Sequence, residues 1–233
     1  MVKKRVIAII PARGGSKRIP NKNCVDFIGK PLITHTINAA INSKVFDEIV
    51  VSTDDQLIAD ISINLGASVP FLRDKFADDF TPVSQACLYA LKQAEKYFRK
   101  KYDVVVQLMP NCPLRNSQDI INAYQEFKLT LTSFQISCFE YGFMNPWWAI
   151  KLKKDKTGEK LFPEFDGKRS QDLESLFCPT GAIWIANTKE LKKTGSFYTS
   201  NTTYFPLSWM SAIDIDTFED LTLAKAVYSL KKI

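Results

Sequence analysis

A short polar loop directly after the first apolar run carries the residues best suited to chemistry. Residues 5–10 are almost continuously apolar, and residues 11–23 then gather glycines, cations and small polar side chains. Glycine lets backbone N–H groups approach a phosphate closely, and fixed cations offset charge that develops on a leaving pyrophosphate. The loop therefore predicts a triphosphate site. Its chemical groups are Arg13, Gly14, Gly15, Ser16, Lys17, Arg18, Lys22 and Asn23.

Two common phosphate motifs are absent from this loop. The sequence has no GxxxxGK[ST], which argues against a P-loop, and no GxGxxG, which argues against a dinucleotide-binding fold. A basic surface turn is the remaining alternative to a phosphate site.

A second candidate is the acidic pair Asp214 and Asp216 near the end of the chain. Residues 211–215 have a strand-like pattern, and side chains two apart on a strand point to the same side. Two carboxylates held so close repel each other unless a cation separates them. Mg²⁺ prefers such oxygen ligands together with substrate phosphates, so the pair predicts a magnesium site. A solvated strand end is the alternative.

The elements that must position these groups alternate along the first half of the chain. Apolar runs of strand length are followed by stretches with helical spacing, which predicts a parallel sheet covered on both faces. The predicted strands are 5–10, 48–52, 68–71 and 104–108. The predicted helices begin at Pro31, Leu57, Pro82 and Ser117, the last as a cap.

The pattern changes near residue 132. A strand is predicted at 132–139, and the following aromatic, charged, Pro- and Gly-containing segment reads as an inserted arm. Trp147 and Trp148 within it suit either a subunit interface or packing on the parent domain. Strands at 181–186 and 211–215 and a helix at 217–230 complete the prediction.

Composition limits the class of protein. The chain has 233 residues, 45% hydrophobic and 24% charged, which suits one α/β domain with a buried core. The net charge of +6 suits anionic partners, but the cations are scattered without a nucleic-acid-binding signature. Neither a signal peptide nor a membrane-spanning run is visible, so we expect a cytoplasmic protein without membrane or nucleic-acid partners.

Cysteine and histidine chemistry is not expected. The five cysteines are an odd number, are widely spaced and include no CxxC, so disulfides and metal ligation are disfavoured. Cys87 is predicted to be a buried free thiol. His35 is the only histidine and is interpreted as structural, which makes a histidine-based hydrolase a poor hypothesis.

Six ordered segments together resemble the CMP–sialic acid synthetases, the acylneuraminate cytidylyltransferases. The likeness covers essentially the whole chain. The segments are the loop at 10–23, VSTDD at 51–55, QLMPNCPLR at 107–115, RSQD at 169–172, GAIW at 181–184 and IDID at 213–216.

This resemblance implies a single domain, 1–233, with a three-layer nucleotide-binding α/β fold and a mainly parallel sheet. It also implies a homodimer in which a protruding arm, residues 139–175, reaches the partner's sugar site. Arg169 would then serve the neighbouring active site and bind the sugar carboxylate or the nucleotide, as a planar guanidinium can do bidentately.

The resemblance also implies roles for the remaining site residues. Gln107 lies where the sugar-binding segment begins, and Arg73 and Ser84 lie where ribose and cytosine are contacted. Asp214 and Asp216 would bind Mg²⁺. The CTP phosphates and part of the nucleoside would contact Arg13, Gly14, Ser16, Lys17, Lys22 and Asn23.

The expected reaction is transfer of CMP from CTP to the anomeric hydroxyl of a nine-carbon sugar acid. Lys17 and Arg13 would stabilise the leaving pyrophosphate, and Asp216 could accept the proton. Asn111 and Cys112 replace two hydroxyl residues of many relatives, which affects the choice of sugar. Neuraminate or legionaminate is favoured, with pseudaminate as the alternative and the eight-carbon KDO less favoured.

Two other functions stay open from the sequence alone. A metal-dependent glycosyltransferase could use the acidic pair on a similar sheet, although the cationic loop suits a triphosphate better. A basic nucleic-acid-binding module is the second, and the acidic pair argues against it because carboxylates repel a phosphate backbone.

Overall fold

The first apolar run forms the strand on which the sheet is built. In the computed structural model, which describes residues 4–76, 78 and 81–230, β1 (Val6–Pro11) is buried at all six positions. It pairs in parallel with β4 (Glu48–Ser52) on one side and β5 (Val104–Gln107) on the other. Burial on both faces explains why this strand is apolar throughout rather than alternating.

The remaining strands complete a six-stranded sheet of order β10-β6-β9-β5-β1-β4 and two small hairpins. Strand β9 runs antiparallel to both of its neighbours, and the other sheet pairs are parallel. These strands are β2 (Asp26–Phe27), β3 (Lys30–Pro31), β6 (Phe134–Glu140), β7 (Ile150–Leu152), β8 (Gly158–Lys160), β9 (Phe177–Asn187) and β10 (Thr203–Pro206).

Helices cover the sheet on both faces, which confirms the predicted three-layer α/β class. The helices are α1 (Leu32–Ser43), α2 (Gln56–Asn64), α3 (Val83–Phe98), α4 (Ser117–Leu129), α5 (Thr188–Thr194), α6 (Trp209–Ala212) and α7 (Phe218–Leu230). One core cluster packs between the sheet and α1, α2 and α4, and a second packs against α3 and α5. None of the described helices is long and apolar enough to span a membrane.

A third, smaller core joins the two ends of the chain. Ile19 of the first loop and Ile215 of the acidic segment are both fully buried in it, together with Leu221 and Val227 of α7. This packing brings the predicted phosphate loop next to the predicted metal ligands, although about 200 residues separate them in sequence.

The predicted strand at 211–215 is wrong. The segment begins with the last residues of the short helix α6 and continues as extended chain outside the sheet. Ser208 caps α6 by accepting a hydrogen bond from the Met210 amide. The Ile215 amide then donates to the Asn111 carbonyl, at 2.9 Å, rather than to a strand neighbour.

Two smaller predictions also need correction. Residues 68–71 do not form a strand, because Ser68 makes only an isolated parallel bridge to Val50. Asn116, and not Ser117, caps α4, since its side chain accepts the Asp119 amide while Asp119 bonds back to the Asn116 amide. This reciprocal capping box satisfies two N–H groups at the helix start.

Cys87 is a buried free thiol, as the sequence predicted, and His35, which was predicted to be structural, is packed among aromatic rings. All five cysteines are free, and Cys87 is fully buried. The His35 ring lies edge-on to Phe27 and Tyr228, and its Nε2 lies 3.0 Å from the Phe27 carbonyl oxygen. Burial lowers the pKa of His35, which suits a neutral packing residue.

The segment predicted as an arm leaves the sheet between β6 and β9. Its hairpin strands β7 and β8 are exposed at every residue and pair with each other outside the main sheet. Trp147 packs within this segment against Phe162 and Phe165 and donates to the Glu174 carbonyl, whereas Trp148 keeps 47% of its surface exposed.

Candidate active site

A cavity of about 230 Å³ opens beyond the carboxyl ends of β1 and β5. In open α/β sheets this edge is where ligands bind. The cavity joins residues from the first loop, the start of α3, the segment after β5 and the acidic segment. Its lining includes six of the predicted site residues, which are Arg13, Ser16, Lys22, Asn23, Arg73 and Asp216.

The predicted phosphate loop is held by bonds to the end of β4 and to the segment after it. The Gly14 amide donates to Asp54 Oδ1 at 3.0 Å, and the Ala12 amide donates to the Ser52 carbonyl at 2.9 Å. On the other side, the Asn23 side chain donates to the Arg13 carbonyl at 2.9 Å. These bonds fix the loop backbone before any ligand binds, which lowers the entropic cost of binding.

Asp216 connects the loop to the end of the chain. Lys22 Nζ lies 2.8 Å from Asp216 Oδ1, and an Arg18 nitrogen lies 2.8 Å from Asp216 Oδ2. Lys22 also donates to the Ile215 carbonyl at 2.9 Å. Burial alone would raise the pKa of Asp216, but Lys22 and Arg18 outweigh it and lower the pKa below its usual range.

Asp214 has the opposite electrostatic environment. The residue keeps contact with solvent, yet protein atoms crowd its carboxyl group, and this desolvation together with the Asp216 charge raises the pKa of Asp214 to about 6. The Asn111 side-chain amide donates to Asp214 Oδ1, while Asn111 Oδ1 is buried without a hydrogen-bond partner. Two carboxylates with divergent pKa values thus lie side by side.

Arg73 lines the same cavity, and Ser84 lies in the helix turn beside it. Arg73 is 5% exposed, its guanidinium lies 3.9 Å from Asp54 Oδ1, and burial lowers its pKa. Its Nε has no partner. Ser84, in the first turn of α3, is buried and accepts the Phe197 amide at 3.4 Å.

Gln107 is the least satisfied side chain of the site. It ends β5 with no exposed surface, and neither its Oε1 nor its Nε2 has a hydrogen-bond partner. A buried polar group left unpaired typically costs about 1–3 kcal/mol. Its ladder neighbours are Ile9 on β1 and Trp184 on β9.

Several predicted residues do not line the cavity. Arg169 lies on the arm and binds Asp172 through two nitrogens, at 2.8 and 3.1 Å, with 71% of its side chain exposed. Lys17 is exposed on the loop. Gly14, Ser84, Gln107 and Asp214 belong to neighbouring positions that the cavity lining does not include.

Sequence reasoning missed two contributors, Asn111 and Asp54. Asn111 lines the cavity, whereas its neighbour Cys112 is fully buried behind it, where desolvation raises the pKa of the thiol. The replacement of a hydroxyl residue at position 111 was the available signal. Asp54 was visible only as part of the VSTDD segment, and its bond to Gly14 required the fold.

The donor set fits a hard divalent cation. Among the residues that the structure describes, no group of three or more His, Cys, Asp or Glu side chains could hold a metal by itself. Mg²⁺ commonly uses one or two protein carboxylates and completes its shell with substrate phosphates and water. Asp214, Asp216 and the unpartnered Asn111 Oδ1 supply such a partial oxygen set next to the cationic loop.

The fold and cavity define an α/β protein with a cation-lined cavity at one edge of its sheet, and sequence comparison names its family. The profile described as "Cytidylyltransferase" matches residues 7–142. The chain belongs to the cytidylyltransferase family. It is 36% identical over 226 residues, 96% of each chain, to a pseudaminic acid cytidylyltransferase of Campylobacter jejuni. It is 37% identical over 240 residues, 98% of each chain, to a CMP-N,N'-diacetyllegionaminic acid synthase of Legionella pneumophila.

Further matches agree with this assignment. An N-acylneuraminate cytidylyltransferase of Streptococcus agalactiae is 34% identical over 92% of this chain and 51% of its own length. Among solved structures, a CMP:2-keto-3-deoxy-manno-octonic acid synthetase complexed with CTP superposes with a TM-score of 0.72 at 17% identity, covering 97% and 99% of the two chains. At that identity the superposition supports the fold alone.

The two loop glycines provide a matched test of the loop geometry. A Cβ on Gly14 would lie 2.9 Å from Asp55 Cβ, and Asp55 cannot move freely because it caps α2 through the Ile58 amide. A Cβ on Gly15 would meet nothing within 4 Å. We expect Gly14→Ala to lower the unfolding free energy by about 1–3 kcal/mol and Gly15→Ala by under about 0.5 kcal/mol, measured by urea denaturation. Equal losses would show that the loop is not packed as described.

The raised pKa of Asp214 predicts a pH-dependent cost to stability. The unfolded chain releases this proton near pH 4, but the folded protein retains it up to about pH 6, so stability falls as pH rises through this window. The Asp214→Asn variant does not pay this cost. In the absence of divalent cations, its unfolding free energy minus that of the wild type should therefore increase from pH 4 to pH 7. Asp155→Asn is the control, because the Thr157 hydroxyl lowers the pKa of Asp155 and its removal should bring no such gain. A pH-independent difference for Asp214→Asn would contradict the assignment.

Proposed function

We propose that this protein transfers CMP from CTP to the anomeric hydroxyl of a nine-carbon 2-keto sugar acid and releases pyrophosphate. The single observation that carries the proposal is the direct contact between the cationic loop and the acidic segment at Asp216 in one cavity. Relatives named for pseudaminic, legionaminic and N-acylneuraminic acids, of which the first two match over nearly the whole chain, support this substrate class.

The charge arrangement suggests how CTP engages the loop. Lys22 and Arg18 neutralise Asp216 in the free protein. A triphosphate carries more negative charge than one carboxylate, so it competes for both cations and frees the Asp216 oxygens. Arg13 and Lys17 lie on the same loop and stabilise charge on the leaving pyrophosphate. Positioning and electrostatic stabilisation supply most of the acceleration in such transfers.

Asp214 and Asp216, with Asn111 beside them, would hold Mg²⁺. When bound, the ion would polarise the phosphate oxygens and make the attacking hydroxyl more acidic. Asp216 is the proposed proton acceptor, but its lowered pKa makes it a weak base while both cations are bound to it. Proton transfer to Asp216 therefore depends on the shift of Lys22 and Arg18 toward the phosphates.

The acceptor sugar is proposed to contact Gln107 and Arg169. The unpartnered Gln107 amide offers both a donor and an acceptor, which suits sugar hydroxyl or acetamido groups. Arg169 would bind the sugar carboxylate or the nucleotide from the partner's arm. Neuraminate and legionaminate are the first candidates, and pseudaminate fits equally because the Campylobacter jejuni enzyme named for it is 36% identical over 96% of both chains.

The homodimer is proposed from the arm, residues 139–175. Its hairpin exposes large apolar side chains, of which Ile150 is 55% and Leu152 66% exposed, and nearby Phe143 is 85% exposed. Clustered exposed apolar side chains of this kind mark interaction sites. Because Arg169 lies on the same arm, outside its own cavity, association would also explain how it reaches a substrate.

The reaction is tested by pyrophosphate release from CTP and Mg²⁺, with N-acetylneuraminate, N,N'-diacetyllegionaminate and pseudaminate as parallel acceptors. We expect release that depends on both sugar and metal, with the highest kcat/KM identifying the acceptor. Lys22→Met should lower kcat/KM at least about 10-fold because it loses a phosphate contact. Folded protein that binds CTP but releases no pyrophosphate with any of the three sugars would refute the proposal, and a glycosyltransferase would give that result.

The dimer is tested by changing the exposed apolar face of the arm. Leu152→Asp should shift the protein from dimer to monomer in sedimentation velocity experiments, because a buried charge destabilises an apolar interface. Leu129→Asp is the matched control, since Leu129 is 77% exposed at the end of α4, away from the arm. A wild type that sediments as a monomer, or a dimer that both variants leave intact, would exclude this interface.

A further inference from the structure

Arg115 is a buried cation without an acidic partner beside it. Its side chain is 1% exposed, and within the described parts of the chain no carboxylate lies at ion-pair distance from it. Desolvation lowers its pKa to about 10, and Cys112 and then Asp119 oppose this shift. Unpaired buried charges are costly, so a fold keeps one only where it contributes something that an apolar residue cannot.

Arg115 fastens the segment after β5 to the neighbouring strand. Its NH1 donates to the Ala182 carbonyl of β9 at 2.8 Å and to the Met109 carbonyl at 3.3 Å. The Thr36 hydroxyl of α1 reaches the same segment, 3.4 Å from the Met109 carbonyl and 3.5 Å from that of Pro110. Met109 and Pro110, whose carbonyls accept these bonds, both line the cavity.

The fastened segment in turn holds the acidic pair. Asn111 accepts the Ile215 amide at its backbone carbonyl, at 2.9 Å, and its side chain donates to Asp214 Oδ1. Asp214 and Asp216 lie outside the sheet and lack the support of a strand ladder. The Met109–Arg115 segment therefore holds Asp214 through the Asn111 side chain and Asp216 through Ile215, while Lys22, Arg18 and the Asp220 side chain, which accepts the Asp216 amide at 3.0 Å, also hold Asp216.

From this chain of contacts we propose that Arg115 is a positioning residue, which sets the location of Asp214 and Asp216 through the Met109–Asn111 backbone. It does not touch substrate. The role rests on the proposed function, since the acidic pair is catalytic only if the protein transfers a nucleotidyl group.

The first experiment measures the coupling without any activity. In wild type, Arg115→Met and Arg115→Lys, amide hydrogen exchange is followed at Ile215, whose N–H is bonded to Asn111. We expect Arg115→Met to speed exchange at Ile215 at least about 10-fold, and Arg115→Lys to restore most of the protection because it keeps a charged donor. Unchanged protection at Ile215 in Arg115→Met would overturn the proposal.

The second experiment measures kinetics. Arg115→Met should lower kcat at least about 10-fold with a KM for CTP within about 3-fold, and Arg115→Lys should recover most of the kcat. Because Arg115 acts through Asn111, adding Asn111→Ala to Arg115→Met should cost little more than Asn111→Ala alone. Additive losses would show that Arg115 acts independently, and the positioning role would be wrong.

Glu95→Gln serves as the control for stability. Glu95 is also buried, and its carboxylate pairs with Lys192, which joins α3 to α5, and with Lys101 just after α3. It does not line the cavity. Its loss should lower the melting temperature while kcat stays unchanged.

The outcomes separate a positioning role from a structural one. If Arg115→Met behaves like Glu95→Gln, with only stability reduced, Arg115 is merely structural. If Arg115→Met fails to fold, Arg115→Lys alone decides, because a changed kcat with a wild-type melting temperature supports positioning and an unchanged kcat rejects it. Absence of pyrophosphate release by the wild type would instead count against the proposed function and leave the exchange result valid.

Discussion

The contact between Asp216 and the cations Lys22 and Arg18 is the interaction on which the site depends. It joins the first loop to the last segment before α7, and Ile19 and Ile215 pack beneath it in the same small core. Without a ligand, this pairing balances charges that would otherwise repel within each segment. Because Asp216 already holds both cations in place, their side chains would need little reorganisation to meet the phosphates that we propose they bind.

Local patterns were enough to predict the centre of the sheet and the loop that follows it. Strand β1 is apolar because both faces are buried, and periodic apolar positions marked α1, α3 and α4 correctly. Patterns failed where tertiary contacts decide the structure. Residues 211–215 have strand-like apolar alternation, but Ile215 is buried against α7 and bonds to Asn111. The edge strand β10 and the short helix α5 carried too little periodicity to be predicted.

The sequence identified which residues form much of the site, but not which of them contact each other. The cations of the loop and the acidic pair were named from the sequence, and the fold brings Lys22 and Asp216 within 2.8 Å. Asp54 and Asn111 could not be assigned roles, because each acts through a bond to a residue distant in sequence. Arg169 is the reverse case, because its role was named from the sequence but the fold of one chain does not bring it to the cavity. Its proposed contact with the partner's site remains a prediction.

Buried polar atoms without partners are concentrated at the edge of the sheet where the cavity opens. Of the eight described residues that have such atoms, six lie at this edge or support it: Asn23, Ser52, Arg73, Gln107, Asn111 and Arg115. Each unpaired group lowers stability, so a fold selected for stability alone would have replaced them. Water, an ion or a ligand could satisfy the members of this set. The unpaired atoms therefore support the proposal that a polar, charged substrate binds at this edge.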